Sequence, residues 1–428
     1  MKAASIEAML RWRSVVQASV AGVLGVLCLA ALSGPTVAYA SDPFTIVALP
    51  DTQYYSRDVP SIFNAQTQWI VDNAAAKNIR FVTHLGDIVD NGDDLTQWAK
   101  AKASMGLLDA AGMPYGTALG NHDNARYMLL PPYSQVGYDP NAVNYRNNFG
   151  PALYAGKSWY GSSPSQKSNY EVISGGGRDF LFLHLAMDTP QAELDWAQQV
   201  LNQNRDKPTV VTTHRYLEDY RLIDERYRSF SLGFFEEPWV PDGIVSESFF
   251  QNFIRPNTNI FMVLSGHCDG EYRQKTPNDA GLPVFEMLAD YQTFSPNGGD
   301  GWMRLMTFDT DAKTITVQTY SPTLARFRTT QDGFQETLAA VPVYGPYIGQ
   351  AMGLTPAETA TLIAQLTANN GAALWQMAYA DGQRDPSFTL SVDFAAYAVP
   401  EPSTISLLIV GMLLGLGACW RRRRFAPY

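Results

Sequence analysis

Cysteine is scarce in this sequence. There are three in 428 residues, Cys28, Cys268 and Cys419, and only Cys268 lies outside the terminal segments. A disulfide framework is thereby excluded, and the fold has to rest on its hydrophobic core. Basic charge is also in short supply: 31 Lys and Arg stand against 41 Asp and Glu, a formal net charge of −10. Seven of those basic and two of those acidic residues sit in residues 1–40 and 399–428, so the part between them carries −15. Sequence-independent binding to nucleic acid needs basic patches, and nucleic acid is therefore not an expected partner. No internal repeat is evident. With 46% hydrophobic, 12% aromatic and 17% charged residues, the chain is neither disordered nor fibrous, and its length allows one large domain or two small ones.

Both ends read as processing or targeting segments. Lys2, Arg11 and Arg13 precede an apolar run from about Val15 to Leu32, and Ala38-Tyr39-Ala40 forms a small-x-small cleavage site before Ser41. Residues 1–40 are expected to be a signal peptide, with an uncleaved anchor helix as the alternative. Leu27 before Cys28 does not fit a lipoprotein signal. At the other end, Pro400-Glu401-Pro402 leads into an apolar stretch from Thr404 to Trp420, closed by Arg421 to Arg424. That stretch is short but able to span a bilayer, with the arginines on the cytoplasmic side. The order of motif, helix and basic cluster resembles the PEP-CTERM sorting signal of Gram-negative bacteria. The resemblance implies an exosortase-type processing partner, export across the inner membrane, and a place in the envelope or extracellular matrix. A plain tail anchor is the simpler reading.

Between the ends, apolar runs alternate with amphipathic stretches. Phe44 to Leu49, Ile79 to Leu85, Phe180 to Leu185, Val210 to Thr213 and Ile260 to Leu264 read as strands. Ile62 to Ala76, the stretch holding Trp98, Ala101, Met105 and Leu108, and the one opened by Pro190 read as helices. This rhythm predicts an α/β layered domain. Met303 to Phe308 and Thr314 to Tyr320 flank Asp309-Thr310-Asp311 as a hairpin, so part of the sheet is antiparallel. Thr355-Pro356-Ala357-Glu358 is a capping box, with helix expected to about Ala368. Residues 333–384 read as a helical insertion before a last strand, Ser387 to Phe394, within a domain of residues 41–398. Tyr127 to Lys167 reads as a long surface loop near the site.

Metal-binding side chains stand at the ends of the expected strands. They are Asp51 and Gln53 after the first, Asp87 in Gly86-Asp87-Ile88-Val89-Asp90, and Asn121 in Gly120-Asn121-His122-Asp123. His214 follows the Val210 strand, and His267 and Asp269 follow the Ile260 strand. Ligands of open α/β sheets gather outside the carboxyl ends of strands, so these donors share one rim. Carboxylates, amides and imidazoles without thiolates favour Mn, Fe, Zn or Mg, and one carboxylate such as Asp87 can bridge two ions.

These blocks resemble, in order, the motifs of the calcineurin-like metallophosphoesterases over roughly Phe44 to Pro322. The resemblance implies a four-layer α/β/β/α sandwich and two divalent metal ions. Asp51, Gln53, Asp87 and Asp269 would hold one, and Asp87, Asn121, His214 and His267 the other. His122 would act on the substrate, oriented by Asp123, in hydrolysis of a phosphate mono- or diester. The family usually has histidine at the positions of Gln53 and Asp269, and both departures harden the same metal position toward Mn or Mg. A non-catalytic envelope or matrix protein with a degenerate site is the other functional class. His84 and His184, inside apolar strands, read as core histidines, and Asp90 as the cap of the next helix. Arg215 and Tyr216 read equally as phosphate contacts or as packing, and Phe249, Phe250 and Phe253 as core.

Overall fold

The computed structural model describes residues 41–398 apart from 125–138, 140, 218–239, 241, 294, 296 and 352. The expected signal peptide and the sorting tail with its apolar stretch, 404–420, lie outside the described residues. Among the described residues, no helix is long and apolar enough to cross a membrane.

In chain order the strands are β1 (Phe44–Leu49), β2 (Ile79–His84), β3 (Tyr115–Thr117), β4 (Tyr160–Ser162), β5 (Asn169–Gly175), β6 (Arg178–Leu185) and β7 (Thr209–Thr213). They continue with β8 (Ile260–Ser265), β9 (Gly270–Pro277), β10 (Pro283–Asp290), β11 (Met303–Asp309), β12 (Thr314–Ser321), β13 (Arg326–Phe327) and β14 (Phe388–Ser391). They form two sheets. One runs β13-β12-β11-β1-β2-β3, with β14 also on β12; the other runs β4-β5-β6-β7-β8-β10-β9. The strands that end at the site pair in parallel, β1 with β2 and β3 in the first sheet, and β6, β7, β8 and β10 in the second. Both sheets are mixed, because β11 and β12 fold back as the expected hairpin and β5 and β9 run antiparallel to their neighbours.

The alternation of side chains sets the layers. Phe44, Ile46 and Ala48 of β1 pack with Phe180 and Phe182 of β6 and with Phe261, Met287 and Phe308 between the sheets. Val47 and Leu49 turn the other way, onto Phe63 and Ile70 of the helix Pro60–Asn73 and onto Trp98, Ala101, Met105 and Leu108 of the helix Leu95–Ala111. Leu181, Leu183 and Leu185 face Leu194, Ala197 and Leu201 of the helix Gln191–Gln203 on the far side. Successive side chains of a strand point to opposite faces, so strands apolar throughout are covered twice. The result is helix, sheet, sheet, helix.

Two further helices, Thr330–Ala351 and Pro356–Ala378, fall between β13 and β14 and share their own apolar cluster around Phe334, Leu366 and Leu374. The Thr355 capping box is formed, and the helical dihedrals break at Ala368. The stretch 127–167 departs from the expected loop. Its described part holds a helix, Val143–Phe149, a 3-10 turn, Pro151–Tyr154, and β4, all fixed by burial of Tyr145, Phe149 and Tyr154. Ser387 to Phe394 is likewise shorter as a strand, since a 3-10 turn at Phe394–Tyr397 closes it.

Candidate metal centre

The parallel strands deliver their following residues to one rim. Asp51 follows β1 by two residues, Asp87 follows β2, Asn121 opens a single helical turn after β3, His214 follows β7 and His267 follows β8. Tight turns bring them together. Asp87 and His267 both adopt positive φ, 48° and 70°, a conformation unfavourable for residues other than glycine and concentrated at functional sites. Gly86 (φ 104°) leaves room for the His214 ring: a Cβ there would lie 2.6 Å from its Nδ1. A Cβ at Gly120 would lie 2.1 Å from Asp87 Oδ1.

Four acceptor atoms converge. His214 Nε2 lies 3.0 Å from Asn121 Oδ1 and 3.1 Å from Asp87 Oδ2. His267 Nδ1 lies 3.1 Å from the same Asn121 oxygen and 3.2 Å from His214 Nε2. The ligand atoms of Asp87, His214 and His267 all lie within 4.8 Å of one another. His214 Nδ1 sits 3.0 Å from the Leu85 carbonyl and so carries its proton there, turning the Nε2 lone pair toward the cluster. Lone pairs of two imidazoles, an amide and a carboxylate repel one another unless a cation or proton lies between them. The donor set thus fits a divalent metal.

Electrostatics carry the same strain. Burial favours the neutral form of Asp87, yet His214 and His122 beside it hold its carboxyl below the usual range. Burial opposes charge on His214, but Asp87 raises its pKa. His267 is lowered by burial and by His214.

The other expected ligands stand alongside. Asp51, 2% exposed, accepts the His267 backbone N–H at 3.2 Å and lies 3.9 Å from His214 Nδ1. Burial, then Asp290 and Asp87, push its pKa well up. Asp269 is exposed at its surface but crowded enough for desolvation to raise its pKa, against hydrogen bonds from Thr293. Gln53 is buried, donates through Nε2 to Gln292 Oε1, and keeps its own Oε1 without a hydrogen-bond partner.

Asp123 and Asp90 differ from expectation. Asp123 Oδ1 accepts the backbone N–H groups of Ile88 (2.8 Å) and Val89 (3.1 Å), and its Oδ2 accepts that of Gly120 (3.0 Å). It ties the two glycine loops together. The ring of His122 is held by Asp90: Nδ1 lies 2.7 Å from the Asp90 carbonyl and 3.6 Å from its carboxylate. Asp90 does not cap the following helix; Asp94 does, accepting from Thr96 and Gln97. The Asp90 carboxylate instead receives Arg57 at 3.0 Å.

His84 and His184 are core histidines as expected: His84 hydrogen-bonds to Thr52 (2.9 Å) and His184 to Thr83 (2.9 Å), with Glu171 Oε2 2.9 Å from the His184 Nδ1. Arg215 forms a buried pair with Asp188 at 3.0 and 3.1 Å, and Tyr216 donates to Glu286. Asp290 and Gln292 at the end of β10 join the rim without any sequence signal, because Pro283–Asp290 carries no glycine motif.

Residues 44–267 match the calcineurin-like phosphoesterase family. The chain belongs to that family. Residues 398–424 match the PEP-CTERM protein-sorting motif. A curated relative, the uncharacterized protein YvnB of Bacillus subtilis (strain 168), is 35% identical over 291 residues, 66% of this chain. The match spans only 20% of that protein's length. Similar solved structures include a purple acid phosphatase from yellow lupin (Lupinus luteus) seeds, at TM-score 0.42 and 14% identity, covering 67% of this chain and 53% of that one. Another is a dimetal phosphatase from Danio rerio, at TM-score 0.38 and 12% identity, covering 66% and 97%.

Proposed function

We propose that this calcineurin-like phosphoesterase is an exported, envelope-associated enzyme that hydrolyses a phosphate mono- or diester with two divalent metals. The observation that carries the proposal is the meeting of Asp87, Asn121, His214 and His267 acceptor atoms at one point of the rim, with Asp51, Gln53 and Asp269 beside it. Asn121, His214 and His267 would hold one ion, Asp51, Gln53 and Asp269 the other, with Asp87 shared. Bound divalent cations supply Lewis acidity and a nucleophile at neutral pH.

The chain's own residues do the rest. His122 lies next in sequence to Asn121, and its backbone N–H donates to Asp87 Oδ1 at 2.9 Å, so loop and ligand move as one body. The Asp90 carbonyl keeps one proton on Nδ1, so Nε2 is the nitrogen that exchanges the second: the imidazolium gives its Nε2 proton to the leaving oxygen and is left as the neutral Nδ1–H ring. Asp123 acts on the loops and not on the ring.

The test is metal analysis of residues 41–398 beside hydrolysis of a chromogenic phosphodiester and monoester after reconstitution with Mn, Fe, Zn or Mg. Two equivalents of metal and turnover of either ester are expected. Metal without turnover of any phosphate ester would favour the non-catalytic class. Intact-mass measurement from the native host addresses export: a mature start at Ser41 and loss of Arg421 to Arg424 are expected, and a full-length mass would leave a membrane anchor instead.

A further inference from the structure

We infer that Asp290 and Gln292 are positioning residues that fix which end of the Gln53 amide faces the metal, making Gln53 an oxygen ligand. The inference rests on the two-metal reading above.

Asp290 reaches the rim by topology. β10 runs parallel to β8 with Leu288 opposite Ser265, so two residues further along each strand stand Asp290 and His267. Asp290 is fully buried, and Gln292 is 8% exposed. The contacts form a relay. Asp290 Oδ1 accepts the backbone N–H of Gln292 at 3.0 Å, and Oδ2 accepts Gln292 Nε2 at 3.0 Å. Gln292 Oε1 accepts Gln53 Nε2, and Gln53 Oε1 is left buried without a hydrogen-bond partner.

Each link has a direction. The oxygen and nitrogen of an amide have nearly the same shape, so only their partners orient the group. An ionised carboxylate accepts and does not donate, so with Asp290 ionised beside bound cations Gln292 must turn its NH2 toward Asp290 and its carbonyl toward Gln53. Gln53 must then give its NH2 to that carbonyl. Rotating Gln53 alone would set two carbonyl oxygens against each other. Rotating both would set the Gln292 carbonyl against the Asp290 carboxylate. The polarity starts at Asp290 and ends with one lone-pair-bearing oxygen exposed to whatever fills the site.

The need for such a device follows from the residue at 53. An imidazole presents a nitrogen whose role is set by one proton. An amide presents either a carbonyl or an NH2 from nearly the same position, and the NH2 repels a cation. A glutamine ligand therefore requires an outer partner that fixes its orientation.

The test is equilibrium binding of Mn²⁺ to metal-free residues 41–398, by calorimetry and by metal content after dialysis. Wild type should take two ions; failure at this point would count against the two-metal reading and not against the relay. Asp290→Asn lets the relay reverse, since asparagine can donate toward Gln292. It should weaken one of the two ions by about 10- to 100-fold and leave the other unchanged. Gln292→Met, which removes the relay without touching either carboxylate, should do the same if Asp290→Asn folds poorly. The deciding arm is Gln53→Glu, whose side chain accepts at both ends. In that background Asp290→Asn should not weaken Mn²⁺, because a reversed Gln292 can donate to the new carboxylate. Unchanged affinity in Asp290→Asn and in Gln292→Met, or an equal loss in the Gln53→Glu background, overturns the inference. The second result would make Asp290 a direct ligand or a structural group.

Discussion

The Nδ1 of His122 lies 2.7 Å from the carbonyl oxygen of Asp90, while its neighbour in sequence, Asp123, spends both carboxylate oxygens on backbone N–H groups. His122 is thus held from the Gly86-Asp87 loop. His122→Ala should bind metal as wild type does and lose kcat by about 10²- to 10⁴-fold, the usual size of a general-acid contribution. Asp90→Asn, which keeps the carbonyl and loses the carboxylate, should lose less. Metal content and kcat measured on the same preparations decide it. Loss of metal in His122→Ala would make this residue a ligand.

Asp87 turns one oxygen toward His214 and receives the His122 N–H on the other, and on the two-metal proposal it is shared by both ions. Asp87→Asn should lower metal content at both positions and abolish turnover while circular dichroism stays native. Gly120→Ala should resemble it, because the added methyl group would enter the space of the Asp87 carboxylate. Full occupancy in Asp87→Asn would remove Asp87 from the site.

β1 and β8 were legible because each is a run of apolar residues followed by a polar motif. Phe44–Leu49 and Met303–Asp309 fall where the apolar pattern puts them. β9 and β10 were not, since Gly270–Pro277 is largely polar and Pro283–Asp290 carries Glu286 in its middle. Glu286 is tolerated there because Tyr216 and Gln274 donate to it, a contact that only the folded chain creates. Missing β10 meant missing Asp290 and Gln292. The polar residues that meet at the rim were legible as glycine-bracketed blocks. The partner of His122 was not: the resemblance pointed to Asp123 and Asp90 read as a helix cap, and only the path of the loop brings the Asp90 carbonyl to the ring.

Arg215 directly follows His214 and pairs with Asp188, both side chains 2% exposed or less. Removing one partner of a buried ion pair leaves an uncompensated charge and costs about 3–5 kcal/mol. Asp188→Ala should therefore lower the urea midpoint of the metal-free chain by that amount, evaluated at a common slope. A change under about 1 kcal/mol, the scale of an exposed pair, would mean that water reaches Arg215.

The metal-free fold should lose stability as pH rises from about 5 to about 7.5. Burial, first of all, raises Asp51, Asp290 and Asp269, and it pushes Asp123 and Glu286 each up to about 7. Glu171 is raised by burial too, and Asp87 raises His214 against its burial. A group whose folded pKa is raised binds more protons in the folded than in the unfolded state. Its stabilisation is complete below the unfolded pKa, near 4 for a carboxyl, and is lost as pH climbs through the folded value. His84, lowered to about 3 by burial and by His214, and His267, lowered by the same two causes, work in the opposite direction up to their unfolded value of about 6.5. The raised groups outnumber them, and above pH of about 6.5 the raised carboxyls act unopposed. A divalent cation replaces the protons on the site carboxylates, so metal-loaded protein should escape this decline and the gap between loaded and metal-free melting temperatures should widen with pH. Thermal melts in chelator and in Mn²⁺ at the two pH values measure both quantities. A metal-free melting temperature that rises across this interval would mean that the carboxylates at the rim are hydrated and ionised in the absence of metal.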